Sequence, residues 1–115
     1  MMTELKNASK AFLDFLHTAD DAVKSDPAFT TQSALTRWLG AVYSADGFLY
    51  EDDYFDLFNR CREKPVSGLN LDETRGMLTF LIRQMRCSYV PYPCVLDGSL
   101  AALLEHWLEL VKEEN

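Results

Sequence analysis

Long apolar runs are missing from these 115 residues, and none approaches the roughly 20 consecutive residues that a membrane-spanning helix needs. The opening "MMTELKNASK" has no apolar stretch behind its lysines, so no secretory signal is expected and a cytoplasmic protein with no membrane partner is. Cysteine is scarce: Cys61, Cys87 and Cys94, an odd number with no close pair, do not suggest the disulfide framework of a secreted domain. With histidine limited to His17 and His106, the soft ligands lack the paired two-to-four-residue spacing of a structural zinc site. No phosphate-binding loop G-x-x-x-x-G-K-[ST], dinucleotide fingerprint G-x-G-x-x-G, metalloprotease H-E-x-x-H or nucleophile elbow G-x-S-x-G occurs. The reading is therefore no metal, no cofactor and no catalytic residue.

Positive charge is also short. Eleven Lys and Arg stand against eighteen Asp and Glu, a net charge of -7, so direct nucleic-acid binding is not expected. The imbalance is uneven. Residues 1–59 hold 4 basic and 10 acidic side chains, whereas residues 60–86 hold 6 basic and 3 acidic. Apolar residues make up 48% and charged residues 25%, the balance of one ordinary globular domain, here 1–115.

Apolar positions recur at helical spacing in five segments. Leu5, Ala8, Phe12, Phe15/Leu16, Ala19 and Ala22/Val23 form the stripe of an amphipathic helix of about five turns, broken by Asp26-Pro27 because the residue before proline is pushed out of the α region. Leu35, Trp38, Leu39, Val42 and Ala45 mark a second helix, with Thr30 or Thr31 to cap it and Gly47 to end it. In "EDDYFDLFNRCREK", Tyr54, Phe55, Phe58 and Cys61 fall on one side, with acids leading and bases trailing, as the helix dipole favours. Asn70 and Glu73 form a variant capping box before a fourth helix whose Leu78, Leu81, Ile82 and Met85 face the core. This helix is apolar over much of its circumference and should be the most buried. Its Gly76 costs about 1 kcal/mol of helix propensity, which close packing against a neighbour would explain. Leu100, Leu103/Leu104, Trp107, Leu108 and Val111 stripe the last helix, from Ser99 to about Glu113, with Asp97 or Ser99 as cap. Two prolines in Tyr89–Val95 confine any strand there to an edge. The expected fold is all-α: one bundle of about five helices with an extended, proline-containing link before the last.

Candidate chemistry gathers in two places. In "RQMRCSYVPYPCVLDG", Arg83 and Arg86 stand three apart on one helix face, where forked guanidiniums could grip a phosphate, a carboxylate or an acidic partner. They could equally clamp the domain's own acids, such as those of the Asp52–Asp56 run. Cys87 follows Arg86, whose charge would lower a thiol pKa, while the C-terminal end of the helix would raise it. Tyr89 and Tyr92 are expected on the flank, with Cys87 and Cys94 acting as small apolar residues. The second place is "GFLYEDDYFD". It opens the aromatic contact region of residues 48–58, with Phe48, Tyr50 and Tyr54 as candidate contacts, and supplies Glu51, Asp52, Asp53 and Asp56 as a cluster of carboxylates. Helix N-terminal acids account for that cluster without a metal, and the EF-hand spacing is absent.

Gly47-Phe48-Leu49-Tyr50, Leu78-Thr79, Arg83, Arg86 and Gly98 resemble the pattern of an uncharacterised family of small, mostly bacterial, all-helical proteins over about residues 35–110. In that family Gly-Phe-x-Tyr precedes an aromatic helix, a Leu-Thr helix ends in Arg-x-x-Arg-Phe, and a glycine opens a final leucine-rich helix. Here Cys87 stands where the pattern has phenylalanine, and Tyr-Val-Pro-Tyr-Pro replaces a shorter link. The resemblance implies a helical fold and carries no activity. The leading functional expectation is a non-enzymatic protein-binding or adaptor module of bacterial or phage type, with an unidentified protein partner. A homodimer is the simplest case if its patch is self-complementary. The alternatives are an acidic mimic of nucleic acid that inhibits another protein, and a small-anion-binding protein or enzyme using Arg83 and Arg86 near Cys87.

Overall fold

The computed structural model describes residues 2–112. Among them every regular element is helical, with no strand: α1 (Met2–Thr18), α2 (Asp21–Ser25), α3 (Ser33–Ser44), α4 (Tyr54–Cys61), α5 (Leu71–Arg86), α6 (Pro93–Leu96) and α7 (Ser99–Lys112), with 3-10 turns at Pro27–Thr31 and Val66–Gly68. The five long helices are those the periodicity predicts. The expected end of the last one, Glu113, lies outside the described residues. The radius of gyration is 13.4 Å, matching the ~13 Å of a compactly folded chain of this length.

The first helix is shorter than its stripe suggests. It stops at Thr18, and Asp20 then accepts a hydrogen bond from the Val23 amide (2.9 Å) and starts α2 afresh. Val23 is consequently exposed rather than in the core. Asp26 caps the following turn through the Ala28 amide (2.8 Å), with Pro27 at its first position. Thr30 and Thr31 do not cap α3. They lie inside the 3-10 turn and bond back to the Pro27 and Ala28 carbonyls, leaving Gln32 at the cap position without a side-chain bond. Gly47 takes the left-handed conformation (φ 80°) three residues beyond α3, where it turns the chain toward Phe48. The link before α7 contains the single turn α6 and no strand.

One core joins α1, α3, α5 and α7. Trp38 and Phe12 stack at 4.9 Å, and the Trp38 indole N–H donates to the Ser9 hydroxyl at 3.1 Å, so the buried donor is satisfied. Phe48 meets Trp107 edge-on at 5.2 Å. α5 is the central helix, burying eight of its sixteen residues, including Leu78, Leu81, Ile82 and Met85 as expected. Its Asn70–Glu73 capping box forms in both directions, at 2.8 and 3.0 Å. Asp97 covers the start of α7, accepting from the Ser99 amide (2.8 Å) and hydroxyl (2.6 Å).

α4 is the outlier. Its one extensive helix contact is with α5, and it buries only Leu57 and Cys61, one turn apart. Gly76 makes that contact close: a Cβ there would come within 2.5 Å of Leu57 Cδ2. Of the side expected to hold Tyr54, Phe55, Phe58 and Cys61, only Cys61 is buried; Tyr54 and Phe58 are half-buried and Phe55 is exposed. An eight-residue helix seated on one neighbour buries a single edge, and Leu57 and Cys61 occupy it.

Candidate functional site

The outward side of α4 and the adjoining strip of α5 form an aromatic face. Phe58 stacks on Phe80 at 3.8 Å, and Phe55 meets Phe80 edge-on at 5.5 Å. Phe55 remains 60% exposed, with Tyr54, Phe58 and Phe80 half-buried beside it. The cluster survives in water because its three rings cover one another, yet its outermost ring has no cover.

The loop leading into α4 is held from α5. Arg75 donates from Nε to the Phe48 carbonyl (2.8 Å), from Nη2 to the Leu49 carbonyl (3.3 Å) and from Nη1 to Asp72 (2.9 Å). Its guanidinium lies 5.9 Å from the Tyr50 ring centre. Thr79 accepts the Tyr50 amide at 2.9 Å and donates to the Arg75 carbonyl at 2.8 Å. Asp53 then caps α4 through the Asp56 amide (2.9 Å), and Asp56 pairs with Arg60 (2.9 Å). At the other end Glu73 of α5 accepts from Lys64 at 2.8 Å and lies 3.6 Å from the Cys61 sulfur. Those bonds, with the one from the Asn70 amide, hold its carboxyl at about 2, against an ordinary 4.5. Burial, then the nearby Glu73 charge, pushes the Cys61 thiol up.

The sequence-predicted residues do not form one site. Phe48 is a core residue, Tyr50 is the ring under Arg75, and Tyr54 opens α4 beside the aromatic face. Arg86 lies on Tyr43: its Nη1 donates to the Tyr43 hydroxyl at 3.1 Å and its guanidinium sits 5.5 Å from the ring centre. With Tyr92, Leu39 and Met85 it lines a hollow of about 110 Å³. Arg83 is not among the residues lining that hollow. Its Nε is buried without a hydrogen-bond partner among the described residues, and neither arginine forms an ion pair there with the Asp52–Asp56 acids. Tyr92 is buried at 7% exposure against Phe29 (6.2 Å), whereas Tyr89 stands 92% exposed instead of packing on the flank. Cys94 is buried as expected, and burial pushes its thiol up to about 11. Cys87 is exposed, at the C-cap of α5, and is not an apolar packing residue.

All ten acids of residues 1–59 are exposed, but half already have local partners: Glu4 with Arg37, Asp20, Asp26 and Asp53 as caps, and Asp56 with Arg60. Among the described residues no group of three or more His, Cys, Asp or Glu side chains could hold a metal ion, and no helix is long and apolar enough to cross a membrane. His106 donates from Nε2 to the Leu69 carbonyl at 2.8 Å, which fixes its tautomer and ties α7 to the start of α5. A hollow of about 300 Å³ between Met2, Leu5, Phe48, Leu71, Trp107 and Val111 includes Arg75, whose three nitrogens all donate within the fold.

The sequence reading places Phe55 and Phe58 within an aromatic contact region, but misses Phe80 as their partner on α5 and Arg75 as the clamp behind them. Gly76 was the available signal: a glycine tolerated for close helix contact implies that α4 touches α5 along one narrow edge. No protein-family model, curated protein or solved structure matches the chain.

Proposed function

We propose that the chain is a non-enzymatic, helical protein-binding module of bacterial or phage type, and that it engages its partner through the aromatic face of α4 and α5. The observation that carries this reading is Phe55, 60% exposed above the Phe58–Phe80 stack, on a helix secured by clamps at both ends. Exposed aromatic rings on a rigid support are the usual anchors of protein interfaces, because they bury a large area with little entropy to lose. Three free cysteines, two of them buried, fit a reducing compartment and support a cytoplasmic setting. The resemblance of residues 35–110 to small, mostly bacterial helical proteins supports the origin.

The test is affinity capture from host lysate with wild type, Phe55→Asp and Tyr89→Asp. Both variants remove an exposed aromatic ring, so each should fold. A protein recovered with wild type and Tyr89→Asp but lost with Phe55→Asp is the expected result. Equal recovery by all three overturns the assignment of this face.

A further inference from the structure

The exposed side of α4 is ordered by charge. Phe55, Asn59 and Arg62 recur at four- and three-residue spacing and so share one side of α4 and its C-cap, Asp52 lies in the lead-in two residues before the helix, and all four are exposed. Glu51 and Asp53 add to the acidic end, and Phe58 and Phe80 flank Phe55 in the middle. The Asp56–Arg60 pair closes on itself within the helix. Asp52 and Arg62 have no side-chain hydrogen bond or ion pair among the described residues. The face thus reads acid, aromatic, base from one end to the other.

Such a surface is its own complement when turned end for end. A two-fold axis through the middle of the exposed side of α4 sets the acidic end, with Asp52, opposite Arg62 of a second copy and Arg62 opposite its Asp52, with the phenylalanine clusters between them. A uniformly basic partner would satisfy the acidic end but set like charge against Arg62. A uniformly acidic one would fail at Asp52. We propose that the chain self-associates through this face as an antiparallel, two-fold homodimer. The proposal rests on the contact-surface reading above and names the partner as a second copy. Each chain carries a net charge of -7, so the association is measured at about 0.15 M salt, where repulsion between charges more than ~8 Å apart is largely screened.

Sedimentation equilibrium of the full chain from about 10 μM to 1 mM tests this, a range that spans weak-dimer affinities. The wild-type mass should climb from 13.2 kDa toward twice that value, and Phe55→Asp should stay monomeric. Asp52→Arg alone opposes two bases, twice over, and Arg62→Glu alone opposes two acids, so each should weaken association about tenfold or more. An equimolar mixture of those two variants restores both complementary pairs. So does the double variant Asp52→Arg/Arg62→Glu, and each should return to within about threefold of wild type. All these positions are exposed, and matching thermal melts by circular dichroism verify folding. A wild type that remains at 13.2 kDa throughout, or a mixture that fails to recover, overturns the homodimer. If the wild type is monomeric while partner capture still depends on Phe55, only the second copy is wrong, and the occupant is another protein. If neither association nor capture depends on Phe55, the contact-surface reading falls as well.

Discussion

Acid should loosen α4 from α5 before it disturbs the core, through one carboxylate. Glu73 accepts from the Asn70 amide (3.0 Å) and Lys64 (2.8 Å) and lies 3.6 Å from the Cys61 sulfur, which together lower its pKa from 4.5 to about 2. A carboxyl whose folded pKa lies below its unfolded value stabilises the fold above the unfolded value. It withdraws that stability as pH falls through the folded one, here between about 5 and 2. At about 1.36 kcal/mol per pKa unit the drop sets a ceiling of about 3.4 kcal/mol. Lys64 is 48% exposed, so water screens the pair and the expected contribution is about 1–2 kcal/mol. Urea unfolding at pH 7, 5, 4, 3 and 2.5 measures it for wild type and Glu73→Gln, whose amide keeps the shape but not the charge. Wild type should lose about 1–2 kcal/mol more than the variant between pH 5 and 2.5, and the variant should start lower by a similar amount at pH 7. Parallel pH curves for the two proteins would refute the assignment of this carboxylate.

Other outcomes follow from the packing. Gly76→Ala gains about 1 kcal/mol of helix propensity but drives a Cβ to 2.5 Å from Leu57. Overpacking of about 1–3 kcal/mol should win, giving a lower melting temperature and faster amide exchange in α4. Ser9→Ala strands the buried Trp38 N–H, at a cost of about 1–3 kcal/mol in urea unfolding. Phe55→Asp should change stability by no more than about 0.5 kcal/mol, since the ring is outside the core. With a thiol reagent at neutral pH, the exposed Cys87 should react readily. Cys61 and Cys94, buried with raised pKa values, should react only in denaturant.

The helices were legible where apolar spacing and caps agreed: Asn70 with Glu73, Asp97 before Ser99, and the Leu100–Val111 stripe. They were misjudged where the pattern continued across a break. Ala22 and Val23 prolong the first stripe in sequence, but the Asp20 cap restarts the chain, and no periodicity argument weighs a cap inside an unbroken stripe. The candidate site was half visible. The aromatic richness of residues 48–58 was plain, but which ring faces outward depends on Leu57 meeting Gly76, a contact between positions 19 apart. Arg83 and Arg86 share a helix face as their spacing requires. Their long side chains nonetheless go to different surroundings, since Tyr43 of α3 takes Arg86.

The central claim is that Phe55 lies at a contact surface. Its most direct test places a photo-crosslinking benzoyl-phenylalanine at position 55, and separately at position 89, in living host cells. Position 89 is the more exposed of the two, so random collision labels it at least as strongly as position 55. The account predicts a discrete adduct from position 55 alone, at twice 13.2 kDa if the occupant is a second copy. Discrete adducts from position 89 and none from position 55 would contradict it.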